Sequence, residues 1–166
     1  MSRRISGLSD EHAAHARRII IKDVHNMLLN KHAIHYSQGA DRWEGIAHRC
    51  THLHGTYPHH CDCSSTTTWL LWDAMGRPYG VRDLVNGTNW SRGYTGTQYN
   101  HGKQVKHDSN LKIGDLIFYG DQGGGVPEHV AMYIGGGMVF SHGSEGGPYI
   151  LRLDYRPDRR QSRRYI

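Results

Sequence analysis

Apolar positions along the first thirty residues repeat with a helical period. Ile20, Val24, Met27 and Leu28 fall at i, i+4, i+7 and i+8, so residues 9–30 predict an amphipathic helix with Ser9 as its N-cap and Asp10 and Glu11 in the first turn. One face of such a helix covers a core, which leaves His12, His15 and His25 on its solvated side. A second helix is predicted from Cys63, where Asp62 can cap the free backbone N–H groups and Gly76 and Pro78 supply a stop. After it, 78–87 reads as a short helix ended by Gly87, and Thr88 to Asn110 shows no periodicity, as in a long irregular loop. The pattern then changes to strands at 116–119, 129–134, 138–142 and 149–153, the first of them entered through the turn Lys112-Ile113-Gly114-Asp115. Helices followed by sequential strands indicate an α+β domain in which the second helix packs on a small antiparallel sheet.

The strands flanking Gly135-Gly136-Gly137 form a hairpin whose register decides what its two histidines can do together. A two-residue Gly135-Gly136 loop pairs His129 directly with His142, on one face and with Cβ atoms about 4.5 to 5.5 Å apart. A three-residue loop sets His142 opposite Val130 and sends the histidines to opposite faces. The first register is the expectation adopted.

Cys63 sits at the start of its helix, where the positive end of the dipole favours thiolate, the nucleophilic form of cysteine. An unpartnered cysteine more often fills space in a core. What moves Cys63 toward catalysis is the downstream pair of histidines, one of which can act as its base.

A chain of 166 residues fits one domain, with 1–35 as N-terminal helix and lead-in and 36–166 as the core. Mean hydropathy of -0.68 is low for a packed enzyme, and the 21 glycines and 14 histidines account for part of it. A net charge of +5 and a pI near 9.2 favour polyanionic partners, and charge alone does not choose between nucleic acid and a bacterial wall. Residues 1–21 contain Ile19-Ile20-Ile21 but lack the run of about 7 to 15 apolar residues of a secretory signal, and nothing approaches the ~20 needed to span a bilayer. The expectation is synthesis in a cytoplasm without self-export and without membrane insertion. Arg152, Arg156, Arg159, Arg160, Arg163 and Arg164 make a basic end, read as a solvated edge rather than a specific anion site.

Between Tyr36 and Cys61 the chain is rich in histidine: His48, His52, His54, His59 and His60, with Cys50. Cys50 and Cys61 with His52 and His59 have the chemistry of a tetrahedral zinc site, although the spacing matches no zinc-finger pattern. A Cys50 to Cys61 disulfide and a loop with free thiols are the alternatives, and free thiols are favoured. Trp90, Tyr94 and Tyr99 are equally suited to lining a substrate groove and to anchoring their loop.

Taken in order, Asp62-Cys63-Ser64 at a helix start, Gly114-Asp115-Leu116-Ile117-Phe118-Tyr119, His129-Val130-Ala131-Met132-Tyr133-Ile134-Gly135 and Phe140-Ser141-His142 resemble the NlpC-type cysteine peptidases that cut peptidoglycan. The resemblance implies a papain-like fold with Cys63 as nucleophile, His129 as base and His142 as the residue orienting it. It also implies that Tyr36, in Tyr36-Ser37-Gln38-Gly39, stands beside the nucleophile, although some twenty residues separate Gly39 from Cys63. Ser64, Trp90 and Tyr94 are added as substrate or oxyanion contacts. More narrowly, Tyr36 to Arg42 with Trp43-Glu44-Gly45-Ile46, the 80–87 run and the Arg163-Arg164-Tyr165-Ile166 ending resemble catalytic domains of lysins from phages of actinobacteria. On that reading the partner is bacterial peptidoglycan rather than nucleic acid, reached after release from the host cytoplasm, and no metal or organic cofactor is required. The expected bond is the D-glutamyl to diamino-acid link of the stem peptide, with a muramoyl-alanine amidase of the same fold or a non-catalytic zinc or wall-binding module as alternatives.

Overall fold

The computed structural model describes residues 3–43, 46, 57–143 and 146–166. Helix α1 runs Asp10–Leu29, and the Ser9 hydroxyl accepts from the His12 N–H at 3.1 Å, as its position ahead of two acidic residues requires. Its buried stripe is Ala13, Ala16, Ile20, Val24 and Met27, joined by one carboxylic acid, Asp23. His12 and His15 lie on its exposed side, where both meet the ring of Tyr79.

Two short strands follow, β1 (His35–Tyr36) and β2 (His60–Cys61), paired in parallel so that Tyr36 lies beside Cys61. Helix α2 (Cys63–Leu71) is buried on every side. That explains its Ser and Thr content. Thr66 and Thr67 donate to the carbonyls of Asp62 and Ser64 at 2.6 and 2.9 Å, and Thr68 donates to Ser64 at 2.9 Å, so hydroxyls in a dry environment find acceptors in their own helix.

The helix does not stop at Gly76 or Pro78. It widens into a π turn over Trp72–Gly76 and closes in α3 (Arg77–Tyr79), which ends at Gly80 in the left-handed conformation with φ 65°. Pro78 is tolerated because it falls in the first turn after the change of pitch, where an N–H is least needed. Nor do residues 80–87 form a helix. Asp83 organises them instead: its Oδ1 accepts from the N–H of Val85 and Asn86, each at 2.9 Å, and its Oδ2 from Thr88 and Trp90 at 3.0 and 2.9 Å. The stretch expected as irregular contains α4 (Thr95–Tyr99) and β3 (Lys103–Val105). Buried Gln98 ties α4 to α2 by donating to the Ser64 carbonyl and the Thr68 hydroxyl, both at 2.8 Å.

The remaining strands are β4 (Leu116–Tyr119), β5 (His129–Gly135), β6 (Met138–Gly143), β7 (Gly146–Arg152) and β8 (Ser162–Arg164). They form a six-stranded sheet in the order β3-β8-β4-β5-β6-β7, antiparallel throughout. Leu116, Phe118, Val130, Met132 and Phe140 pack with α1 and α2 in the main core, while Ile117, Tyr119, Ala131 and Val139 form a smaller cluster on the reverse face.

The β5–β6 hairpin corrects the adopted register. Its loop is Gly136-Gly137, both at positive φ (60° and 74°), with Gly135 paired to Met138. A bulge between Tyr133 and Gly135 then shifts the ladder to Tyr133 with Val139 and Met132 with Phe140. Carried outward, this pairing sets Ala131 opposite Ser141 and Val130 opposite His142. The two histidines therefore belong to opposite faces.

Candidate active site

Asp62 builds the front of the site. Its Oδ1 accepts the Ser65 N–H at 2.8 Å while the Ser65 hydroxyl accepts the Asp62 N–H at 2.9 Å, a reciprocal cap that places Cys63 in the first turn of α2. Oδ1 also accepts from the Ser64 hydroxyl at 3.1 Å, and Oδ2 holds Nη1 of Arg42 at 2.7 Å. One buried carboxylate thus fixes the helix start and an arginine on the rim.

Cys63 is 8 % exposed at the floor of a cleft of about 680 Å³ whose walls include Tyr36, Tyr94, Thr95, His129 and Arg156. Its Sγ lies 3.7 Å from the Thr95 hydroxyl. Burial pushes the thiol pKa up, and the Asp62 charge adds to this; hydrogen bonds from the Val130 N–H, the Thr95 hydroxyl and the Ser64 N–H pull it back. At this depth desolvation outweighs the helix start, so the thiolate depends on a neighbouring base.

His129 opens β5 on the same cleft, also 8 % exposed, with Nε2 2.8 Å from the hydroxyl of Ser141. Ser141 and His129 share the face of Ala131, so the hydroxyl reaches the imidazole diagonally across the hairpin. His142, expected to orient His129, is on the other side of the sheet. Its Nδ1 lies 3.1 Å from Cys61 Sγ and 3.4 Å from the Thr66 hydroxyl, and the Tyr36 ring meets its edge at 5.5 Å. Cys61 is fully buried, and desolvation pushes its pKa up to about 12. The fold thus places Cys63 and His129 on one cleft and seals a Cys61–His142 pairing behind it.

A family model described as the NlpC/P60 family matches residues 49–154. The chain belongs to the NlpC/P60 family. Over 73 residues it is 44% identical to peptidoglycan endopeptidase RipA of Mycolicibacterium smegmatis, a match covering 36% of this chain and 14% of that protein. Over 54 residues it is 46% identical to peptidoglycan endopeptidase RipB of Mycobacterium tuberculosis, covering 32% of this chain and 21% of that protein. The matched stretches thus span well under a quarter of these relatives' lengths. Among solved structures, the P60 domain of an antigen from M. avium subspecies paratuberculosis superposes with a TM-score of 0.60 at 24% identity, covering 93% of this chain and 98% of that one. The NlpC/p60 domain of the peptidoglycan hydrolase SagA gives 0.58 at 21%, covering 89% and 97%. These likenesses are of fold, and the fold is the papain-like α+β arrangement.

In this NlpC/P60 chain the cleft brings together Cys63, Ser64, His129, Tyr36 and Tyr94, with Tyr94 51 % exposed at the rim. Trp90 is not with them. It is buried, donates from Nε1 to the Val81 carbonyl at 3.2 Å and packs beside Gly76, so it anchors its loop. Tyr99 likewise turns inward, edge-on to Phe118. Asp115 is structural, clamped by Arg164 at 2.8 and 2.7 Å and by the Lys112 N–H at 2.8 Å. Cys50, His52, His48 and His54 lie outside the described residues. Among those described, Cys61 is engaged with His142, and no group of three or more potential metal ligands converges. No helix among them is long and apolar enough to cross a membrane.

Sequence reasoning missed Ser141, Thr95, Arg42 and Arg156. Ser141 was legible in the second hairpin register, which places it on the face of His129. The other three reach the cleft from loops and a short helix without periodic signal.

Proposed function

We propose that the chain is a cysteine peptidase that hydrolyses a peptide bond in the stem peptide of bacterial peptidoglycan, with Cys63 as nucleophile and His129 as base. The observation that carries this is one cleft holding a helix-start cysteine and a histidine whose Nε2 is already engaged by Ser141. With Nε2–H donated to that hydroxyl, proton exchange with the substrate side falls to Nδ1. His129 takes the thiol proton and Sγ attacks the carbonyl carbon. The oxyanion forms next to the Cys63 N–H, which the first turn of α2 leaves without an intrahelical acceptor. Collapse breaks the C–N bond, His129 protonates the departing amine, and water then hydrolyses the thioester with the same imidazole as base.

The membership in NlpC/P60 and the local likeness to RipA and RipB support a wall substrate. Within that class we infer the D-glutamyl to diamino-acid bond and an origin among lysins of actinobacterial phages, acting on the wall after release from the host cytoplasm. The bond rests on the NlpC-type pattern at 62–64, 114–119, 129–135 and 140–142, and the phage origin on the pattern at 36–46, 80–87 and 163–166. His142 is assigned to the support of Tyr36 and α2, and Ser141 to the positioning of His129.

The test is release of new amines from purified actinobacterial peptidoglycan, with fragments identified by mass. The expected result is activity that survives a chelator and is lost in Cys63→Ala. A Cys63→Ala protein as active as the wild type refutes the nucleophile, and fragments bearing a free glycan lactyl group refute the endopeptidase in favour of an amidase.

A further inference from the structure

Away from the catalytic cleft, Arg3, Arg4, Arg17, Lys103, Lys112 and Arg164 line a second cavity of about 270 Å³. It shares Lys103, Lys112 and Arg164 with an adjoining cleft of about 570 Å³ that runs along the edge strand β3. Neither shares a lining residue with the catalytic cleft.

The charges here are poorly balanced. Among the described residues two carboxylate side chains reach these cations: Asp10, 2.6 Å from Arg4, and the buried Asp115, held by Arg164 at 2.7 Å. Arg3 and Lys112 form no ion pair among the described residues. Arg17 donates to the backbone oxygens of Ile113 and Ile166 at 3.1 and 3.0 Å. Its pKa is lowered, by burial first and then by Arg164 and Arg4, with Asp115 opposing. Lys103 lies directly opposite Arg164 in the β3–β8 ladder, so it adds a second cation beside the one that Asp115 holds. A groove lined by six cations suits an anionic ligand.

We propose that this groove binds an anionic wall glycopolymer, a chain of sugars or polyols joined by phosphodiesters, and so holds the domain on its substrate surface. The choice of polymer follows from the lining. Among the described residues no tryptophan, tyrosine or phenylalanine borders either cavity, so nucleobases find no platform there to stack on, whereas phosphates find guanidinium and ammonium donors along the groove. The site rests on the wall-hydrolase reading for its biological setting but not for its chemistry.

The experiment measures binding of fluorescein-labelled poly(glycerol phosphate) by anisotropy across a salt series. It compares wild type, Lys103→Gln/Lys112→Gln, and a control Arg18→Gln/Lys22→Gln that removes the same charge from exposed positions of α1. The groove variant is expected to bind about tenfold more weakly, with a salt slope flatter by about 1.5, while the control stays within about twofold. Equal losses in both variants, or no binding by the wild type, overturn the proposal. Tighter binding of a single-stranded DNA of equal charge overturns it in favour of a nucleic-acid surface. Cleavage of a small stem-peptide substrate, expected to be unchanged in both variants, is followed in parallel. Binding without cleavage sinks the catalytic reading and leaves the groove, and cleavage without binding does the reverse.

Discussion

Asp23 gives the sharpest test of the packing of α1 on the helix that begins at Cys63. It is 2 % exposed and hydrogen-bonded to Asp73, which is equally buried in the π turn and accepts from Nη1 of Arg77 at 3.0 Å. The second oxygen, Oδ2, has no hydrogen-bond partner among the described residues. Burial first, then the hydrogen bond and charge of Asp73, raises the Asp23 pKa to about 9, with Lys22 and Arg77 opposing. Because the folded value is raised, the associated stability is complete below the unfolded value near 4 and is lost as pH rises toward 9. Over that window the unfolded chain ionises while the folded one keeps its proton, at most about 1.4 kcal/mol per pH unit. From pH 5 to pH 7 this single group removes roughly 2 to 3 kcal/mol. Asp23→Asn keeps a donor for Asp73 and has no proton to lose. Urea unfolding of both proteins at pH 5, 7 and 9, under reducing conditions, is therefore expected to show the variant gaining on wild type as pH rises. Parallel stability curves for the two proteins would refute the shared-proton account.

Three further expectations concern the site and the loop beside it. Ser141→Ala is expected to lower kcat about 10- to 100-fold with KM within about twofold, since it loosens His129 without touching substrate. His142→Ala should mainly lower the unfolding free energy measured in urea, by roughly 2 kcal/mol, and the opposite ranking of the two kcat effects would restore His142 as the orienting residue. Asp83→Ala leaves the N–H groups of Val85, Asn86, Thr88 and Trp90 without their acceptor and is expected to cost at least about 3 kcal/mol by chemical denaturation, with an unchanged midpoint refuting its organising role.

Much of this was legible along the chain because it is local. Ser9 and Asp62 mark their helices by chemistry acting over three or four residues, and the face of α1 follows from a period. The hairpin register failed for a definite reason. Three consecutive glycines allow several loops, and the bulge beyond Tyr133, which sets the final pairing, has no residue signature. Residues 80–100 failed differently, since a loop organised by one carboxylate, with one buried glutamine tying α4 to α2, shows neither helical nor strand periodicity. The helix that outran Gly76 did so because the π turn moved Pro78 into a tolerated position.

The parallel pairing of β1 and β2 bears on how this domain can diversify. Parallel neighbours cannot be joined by a tight turn, so a long connection between Tyr36 and His60 is a topological requirement. Its two ends are pinned: His35 N–H donates to the His59 carbonyl at 2.8 Å and Ser37 N–H to that of Cys61 at 3.0 Å. Doubling the length of chain between fixed ends costs only about 0.6 kcal/mol. A lineage, or an engineer, can therefore graft new sequence into this connection and, on the proposed function, alter what the domain meets on the wall while Tyr36 stays in register beside Cys61.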